Sequence, residues 1–158
     1  MVLHVHTQKG EGYGPAEVHR ERFHFSAPFD IATGDPLNMN EDEDYGDVTA
    51  SHLLKMMKED KTVVAITAGT PGVIGFNADR RKEAGKQFVD VGIAEQEAVA
   101  LASGIAKGGC KPFFGVVSSF VQRAYDQLSQ DMAINSTAPE IGLFYGTVLG
   151  INDVTHLG

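Results

Sequence analysis

The sequence predicts an α/β fold for residues 49–158, with a parallel open sheet and helices on both faces. Its strand-like segments are continuous apolar runs without alternation, which is typical of strands buried on both faces. These runs alternate along the chain with segments of helical periodicity. Several of the 18 glycines stand at the ends of the runs, where tight turns or the close approach of a ligand use them.

The first third of the chain predicts less regular structure. Residues 2–7 alternate and predict a short strand, which the glycines between positions 9 and 15 end. No sustained period follows up to Gly34. Residues 35–48 contain Gly, Pro and Asn together with an acidic cluster at 41–44, so they predict a solvated linker between two domains.

The second domain is predicted to alternate helices with strands. The helices are expected at 50–59, 94–107 and 120–134, and the strands at 63–68, 88–91, 112–117 and 141–145. Ligands of such sheets bind beyond the carboxyl ends of the strands. The turns after Ala68, Val91, Val117 and Tyr145 are therefore where we expect a functional site.

Composition excludes several classes of function. The formal charge of −8 argues against binding to nucleic acid or anionic membranes. Cys110 is the only cysteine, which excludes an internal disulfide and favours a reducing compartment. Because there is also neither a membrane-length apolar run nor a signal-peptide pattern, we expect a soluble cytoplasmic protein. His4 and His6 share one face of the first strand, but two ligands without a third predict no metal site.

Five segments carry motifs in a fixed order. Residues 7–17 read Thr-Gln-Lys-Gly-Glu-Gly-Tyr-Gly-Pro-Ala-Glu, and a Phe-His pair stands at 23–24. Residues 88–96 read Phe-Val-Asp-Val-Gly-Ile-Ala-Glu-Gln, 117–127 read Val-Ser-Ser-Phe-Val-Gln-Arg-Ala-Tyr-Asp-Gln, and 155–158 read Thr-His-Leu-Gly. Together the segments resemble the transketolase-like thiamine-diphosphate enzymes, and most closely the deoxyxylulose-5-phosphate synthase family, over nearly the whole chain.

The resemblance implies a central fragment of a synthase. Residues 1–34 would end a cofactor-phosphate domain, and 49–158 would be a pyrimidine-binding domain, incomplete at its C-terminus. Members of the family condense pyruvate with glyceraldehyde 3-phosphate to deoxyxylulose 5-phosphate, a precursor of isoprenoids and thiamine, and they act as homodimers. The family's Gly-Asp-Gly motif and downstream asparagine, which hold Mg²⁺ and the diphosphate, do not occur in this sequence. We therefore expect the Mg²⁺ ligands on another segment or partner chain, and the chain alone to be inactive.

Glu95 is the central candidate residue. A carboxylate in the first turn of a helix is favoured simply because it opposes the helix dipole. The resemblance implies a catalytic role, in which this glutamate bonds N1′ of the cofactor's pyrimidine and favours the tautomer that removes the thiazolium proton. Both interpretations stay open on the sequence alone.

The resemblance implies roles for five further residues. Tyr13 would contact the cofactor, and Phe120 would stack on its pyrimidine. Arg123 would hold the phosphate of the acceptor substrate, for which a planar bidentate donor is suited. His24 and His156 would transfer protons or bind hydroxyl groups near the substrate. From residue type alone, Phe120 is equally a core residue and the other four are surface residues.

Several positions depart from the family pattern. Glu97 stands where the family usually has a histidine, and Val117 stands where it has a tyrosine. The pair Asn152-Asp153 replaces an Asp-Gly pair, and the segment from Phe144 to Thr147 replaces the usual Asp-Arg-Ala-Gly. These departures fall on the substrate side of the implied site. Two alternatives therefore remain, namely another transketolase-like transferase, or a non-catalytic subunit or degenerate module that binds a partner chain.

Overall fold

The computed structural model describes residues 1–37 and 42–146, and the chain divides into two compact units, Met1–Asp42 and Glu43–Gly158. The first unit has one short helix, α1 (Gly14–Val18), which begins with Pro15 in its first turn. Next to this helix, the ring centroids of Tyr13, Phe23 and Phe29 lie 5.2 to 5.8 Å apart. Three aromatic rings thus form the apolar centre of this unit.

The strand predicted over residues 2–7 is wrong. Residues 1–8 have no regular secondary structure, and their side chains are exposed. An alternating pattern produces a strand only where a neighbouring strand supplies hydrogen bonds. Within the described residues no strand pairs with this segment.

The second unit confirms the predicted parallel open sheet. Its strands are β1 (Val63–Thr67), β2 (Phe88–Asp90), β3 (Lys111–Val117) and β4 (Glu140–Phe144). They are all parallel, in the order β2-β1-β3-β4. The register places Ile66 between Val89 and Phe114. Each predicted strand lies within one residue of its observed bounds at either end.

Helices cover both faces of the sheet, as predicted. Helices α2 (Tyr45–Glu59) and α3 (Ala78–Ala84) pack on the face that carries Ala65, where Leu53 and Phe76 are buried. Helix α4 (Glu95–Lys107) packs on the opposite face with Ile66, Val99 and Phe114. Since neighbouring residues of β1 enter different cores, both faces of this strand are apolar.

Helix α2 begins at Tyr45, inside the predicted linker 35–48. The carboxylate of Asp44 accepts a hydrogen bond from the backbone N–H of Asp47 at 2.8 Å, and the Asp47 carboxylate accepts the N–H of Asp44. Arg80 donates to the same Asp47 carboxylate at 2.5 Å. These aspartates of the predicted linker region therefore form a reciprocal cap that starts a helix.

The predicted continuous helix at 120–134 is also wrong. The segment forms a 3₁₀ turn (Val121–Ala124), a short helix α5 (Tyr125–Gln127) and a π-helix (Leu128–Ile134). The hydroxyl of Ser103 on α4 donates to the carbonyl of Asp131 at 2.5 Å, and Thr137 donates to the same carbonyl at 3.2 Å. A side chain that enters the backbone ladder in this way disturbs regular α-helical hydrogen bonding.

Over residues 1–37 and 42–146, no helix is both long and apolar enough to cross a membrane.

Candidate active site at the carboxyl edge of the sheet

The strand order creates a topological switch point at the carboxyl edge of the sheet. The chain leaves β1 towards β2 on one side and later returns to place β3 on the other side. In open α/β sheets, ligands bind at such a switch point, beyond the carboxyl ends of the strands. The turns that follow β1 and β3, and the start of α4 after β2, therefore line the candidate site.

Asp90 fixes the backbone at this edge. Its Oδ1 accepts hydrogen bonds from the N–H groups of Gly69 at 2.8 Å and Gly92 at 2.9 Å, so it ties the turn after β1 to the turn after β2. Gly69 and Gly92 have φ values of +76° and +72°. A side chain at Gly69 would also press against Ile93. This role of Asp90 is not among the residues predicted from the sequence, although an Asp before Val-Gly at a strand end is a signal for such a turn.

Glu95 is the first residue of α4, and only 2% of it is exposed. Its Oε2 atom is shielded from solvent and accepts no hydrogen bond within the described residues. The Nη1 atom of Arg123 lies 3.2 Å from this oxygen, which is an ion-pair distance without hydrogen-bond alignment. A buried carboxylate oxygen that lacks a hydrogen bond is costly, and the helix N-terminus offsets only part of that cost. The arrangement therefore favours a ligand donor at Glu95.

Ser118 carries a second buried polar atom of this kind. Its N–H donates to the carbonyl of Phe144 at 2.8 Å, which continues the pairing of β3 with β4. Its Oγ is buried and has no hydrogen-bond partner in the part of the chain that the structure describes. Residue pattern alone contained no signal for this hydroxyl beyond its place directly after β3.

Phe120 and Arg123 both lie in the segment that follows β3. The ring of Phe120 is half-buried and packs against the apolar cluster formed by α4 and the sheet. Arg123 lies in the 3₁₀ turn, and 49% of its side chain is exposed. The structure thus brings Arg123 to Glu95, whereas stacking by Phe120 on a ligand stays a prediction.

The candidate residues of the first unit have their own local contacts. The Tyr13 hydroxyl donates to the carbonyl of Ile31 at 2.9 Å. His24 is exposed, and the Lys9 ammonium donates to its carbonyl at 2.8 Å and lies 3.3 Å from its Nδ1. His156 lies outside the described residues, as do Asn152 and Asp153. The roles expected for Tyr13, His24 and His156 stay predictions.

Positions that depart from the family pattern have distinct environments. Glu97 is exposed in the first turn of α4, whereas Val117 is 2% exposed at the end of β3. Tyr145 follows β4 with a φ of +58°, a conformation that non-glycine residues adopt rarely and often near functional sites. Burial raises the pKa of the Tyr145 phenol, and the negative charge of Asp44 adds to the effect.

Metal-binding side chains do not gather in the described residues. There, no group of three His, Cys, Asp or Glu side chains is placed to hold a metal ion. The rings of His4 and His6 lie 4.2 Å apart between centroids, but they form only a pair.

Comparison with known proteins identifies similar chains. A family model described as transketolase, pyrimidine binding domain, matches residues 42–156. The chain is 40% identical over 158 residues to the 1-deoxy-D-xylulose-5-phosphate synthases of Alkaliphilus oremlandii and of Clostridium perfringens strain 13, and 39% identical to that of Wolinella succinogenes. Each match covers 100% of this chain and 25% of the relative. The chain therefore spans a quarter of the length of these relatives.

Proposed function

The chain belongs to the family of transketolase pyrimidine-binding domains, and we propose that it forms the pyrimidine side of a thiamine-diphosphate site in a deoxyxylulose-5-phosphate synthase. One observation carries the proposal. Glu95 is a buried carboxylate with an oxygen that lacks a hydrogen bond, at the edge of the sheet where ligands bind. The identity of the relatives supports the choice of cofactor.

The residues at this edge fit the cofactor's pyrimidine. Glu95 would bind the ring nitrogen N1′, and Phe120 would stack on the ring. Tyr13 is proposed as a further cofactor contact, on the resemblance alone. When bound, thiamine diphosphate would supply a nucleophilic thiazolium carbon for chemistry at the carbonyl group of the donor substrate. Glu95 holds a proton at the ring nitrogen, and because water is excluded around it, this interaction is stronger than the same one in water.

The proposed reaction condenses pyruvate with glyceraldehyde 3-phosphate, releases carbon dioxide and forms deoxyxylulose 5-phosphate for isoprenoid and thiamine biosynthesis. In it, Arg123 binds the phosphate of the acceptor, and His24 and His156 bind hydroxyl groups or move protons. Mg²⁺ and the diphosphate are held by another segment or subunit of a cytoplasmic homodimer. The names of the relatives support the choice of reaction.

Another transketolase-like transferase is the second candidate. The observation that favours it is Tyr145, which stands in a left-handed conformation where the family pattern has an arginine. A phenol that stays neutral at physiological pH cannot supply the positive charge of that arginine. A non-catalytic module that binds a partner chain is the third candidate.

A hybrid enzyme tests the proposal. In the synthase of Alkaliphilus oremlandii, this chain would replace the quarter of the sequence that it matches. We expect the hybrid to bind thiamine diphosphate with Mg²⁺ and to form deoxyxylulose 5-phosphate from pyruvate and glyceraldehyde 3-phosphate. Product formation with a different acceptor alone would support the second candidate. A folded dimeric hybrid that binds no cofactor would contradict the proposal and support the third.

The matched variants of the hybrid locate the binding interaction. Glu95→Gln keeps a neutral hydrogen bond but loses the charge, and because a charge-assisted hydrogen bond is about twice as strong as a neutral one, cofactor binding should weaken by up to about tenfold. Glu97→Gln removes the same charge from an exposed position two residues away on the same helix and should leave binding unchanged.

A further inference from the structure

We propose that Asp90 is a positioning residue of the candidate site. Its side chain fixes the turn from which α4 begins, and it thereby sets where the Glu95 carboxylate lies. The consequence for cofactor chemistry rests on the proposed function, whereas the placement of Glu95 rests on hydrogen bonds within this chain. Asp90 acts through Glu95 and needs no contact of its own with cofactor or substrate.

The start of α4 lacks a capping side chain. Ala94 stands at the N-cap position, and its methyl group cannot accept the hydrogen bond that Ser, Thr, Asp or Asn would accept there. Glu95 follows directly as the first residue of the helix. The place of its carboxylate therefore depends on how the turn over residues 91–94 is held.

Asp90 supplies hydrogen bonds that hold this turn. Its Oδ1 atom accepts the N–H of Gly92, two residues further along the chain, at 2.9 Å. Asp and Asn side chains characteristically close a turn in this way. The same atom accepts the N–H of Gly69 at 2.8 Å, in the turn after β1, which lies inside the sheet between β2 and β3. One carboxylate oxygen thus fastens the start of α4 to an interior strand.

The two turns that Asp90 joins also touch each other. The N–H of Val91 donates to the carbonyl of Thr67 at 3.1 Å, which extends the pairing of β2 with β1. A methyl group at Gly69 would lie 3.2 Å from Cγ1 of Ile93. Because the turns are in contact, a displacement of either one is transmitted to the start of α4.

The site tolerates little displacement, whereas the fold does not depend on burial of Asp90. Glu95 is 2% exposed, and a ligand donor must approach its carboxylate to about 2.9 Å. Misplacement of a reacting group by about 1 Å can slow a reaction about 100-fold. Asp90 is exposed and belongs to neither apolar core, so its replacement should affect the site more than the cores.

Replacements of Asp90 separate its geometry from its charge. Asp90→Asn keeps an acceptor oxygen in place but removes the charge. Asp90→Glu keeps the charge but moves the carboxylate outward by one methylene group, and Asp90→Ala has no acceptor. We expect Asp90→Asn to behave like the parent, and Asp90→Glu and Asp90→Ala to share one defect. Asp79→Ala, at an exposed position in the first turn of α3, controls for loss of an acidic side chain.

NMR of the whole chain reports the position of Glu95 without the cofactor. The Nη1 atom of Arg123 lies 3.2 Å from Oε2 of Glu95, so the ¹⁵N resonances of the Arg123 side chain respond to a displacement of that carboxylate. Glu95→Gln gives the resonance positions without the ion pair. We expect Asp90→Glu and Asp90→Ala to move the Arg123 resonances towards those positions, and Asp90→Asn and Asp79→Ala to leave them at the parent positions.

Exchange of the cofactor's C2 proton in the hybrid synthase is the second measurement. With saturating thiamine diphosphate and Mg²⁺, Asp90→Glu and Asp90→Ala should slow exchange by about 10- to 100-fold. Asp90→Asn and Asp79→Ala should exchange at the parent rate. Circular dichroism establishes whether each variant is folded.

Unchanged Arg123 resonances in folded Asp90→Glu and Asp90→Ala would overturn the proposal, because the turn would then not place Glu95. An Asp90→Asn variant as impaired as Asp90→Glu would overturn it too, since charge and not geometry would explain the effect. Loss of folding in both Asp90→Glu and Asp90→Ala would also overturn it, because Asp90 would then hold the fold rather than the site.

The two measurements distinguish this inference from the proposed function. If the Arg123 resonances shift as expected but the parent hybrid binds no cofactor, the proposed function is contradicted and the placement of Glu95 by Asp90 is supported. If the parent hybrid and Asp90→Glu exchange the C2 proton at equal rates, the proposed function stands and the role of Asp90 is contradicted.

Discussion

Replacing glycine with alanine should change the stability of the protein in opposite directions at two positions. One position lies in the centre of β3, against the turn after β1, and the other lies in α4. Gly115 lies in β3 directly below Ile74, which is fully buried in the 3₁₀ turn (Pro71–Ile74) that follows β1. A methyl carbon at Gly115 would lie under 3.0 Å from Cγ2 of Ile74. By contrast, Gly104 is exposed within α4, and a methyl group there would meet no atom within 4 Å.

The expected magnitudes are large enough to measure. Gly115→Ala overpacks a core contact and should lower the free energy of unfolding by about 1 to 3 kcal/mol. Gly104→Ala should raise it by about 0.8 kcal/mol, because alanine has the higher helix propensity. With a urea dependence of about 1.5 kcal/mol per M, the midpoint should fall by roughly 1 M for Gly115→Ala and rise by about 0.5 M for Gly104→Ala.

Urea unfolding followed by far-ultraviolet circular dichroism measures both midpoints. The parent and the two variants should share one slope, so that the midpoints report stability alone. A Gly115→Ala variant as stable as the parent would refute the reasoning, because it would mean that Ile74 does not lie over β3. The turn that positions the carboxyl edge of β1 would then be placed wrongly.

Three further perturbations test other parts of the fold. Ser103→Ala removes one of the two side-chain donors to the part-buried carbonyl of Asp131, so it should cost about 0.5 to 1.5 kcal/mol and speed amide exchange in the π-helix; unchanged exchange there would contradict that contact. The hydrogen bond from Arg80 holds the pKa of Asp47 below its ordinary value of 3.8, so stability present above that pH should be lost as pH falls through the folded pKa. Asp47→Asn should lack this acid-dependent loss when unfolding is measured from pH 5 to pH 2, and an identical loss in both proteins would count against the pair. Because burial raises the pKa of Tyr145 above 10, Tyr145→Phe should remove the part of the ultraviolet phenol titration that occurs at the highest pH, and an unchanged curve would exclude the assignment.

Sequence pattern was sufficient for the sheet and insufficient for its irregular connections. The strands were predictable because the runs at 63–67 and 111–117 are apolar on both faces, as the two cores require. The start of α2 was not predictable, because a sequence with Asp44 and Asp47 fits both a solvated linker and a helix cap. Only the position of the backbone shows that the two side chains cap the helix. The π-helix depends on the Ser103 hydroxyl, which comes from a different helix.

Residues of the candidate site could be predicted from the sequence, but the contacts between their side chains could not. Glu95 and Arg123 were both identified through motifs, yet nothing in those motifs states that their side chains meet. Their contact requires β3 to lie beside β1 and α4 to cross the same face of the sheet. Asp90 and Ser118 were missed for the same reason, since the partners of Asp90 and the burial of the Ser118 hydroxyl depend on neighbouring strands.

Exchange of the cofactor's C2 proton tests the central claim about Glu95 most directly. In the hybrid synthase with saturating thiamine diphosphate and Mg²⁺, the exchange rate would be measured by NMR after dilution into D₂O. Loss of a contribution to proton transfer typically costs about 100-fold or more, so Glu95→Gln should slow exchange by about that factor while Glu97→Gln exchanges at the parent rate. Equal rates in all three proteins would contradict the claim and leave Glu95 as a carboxylate that only begins helix α4.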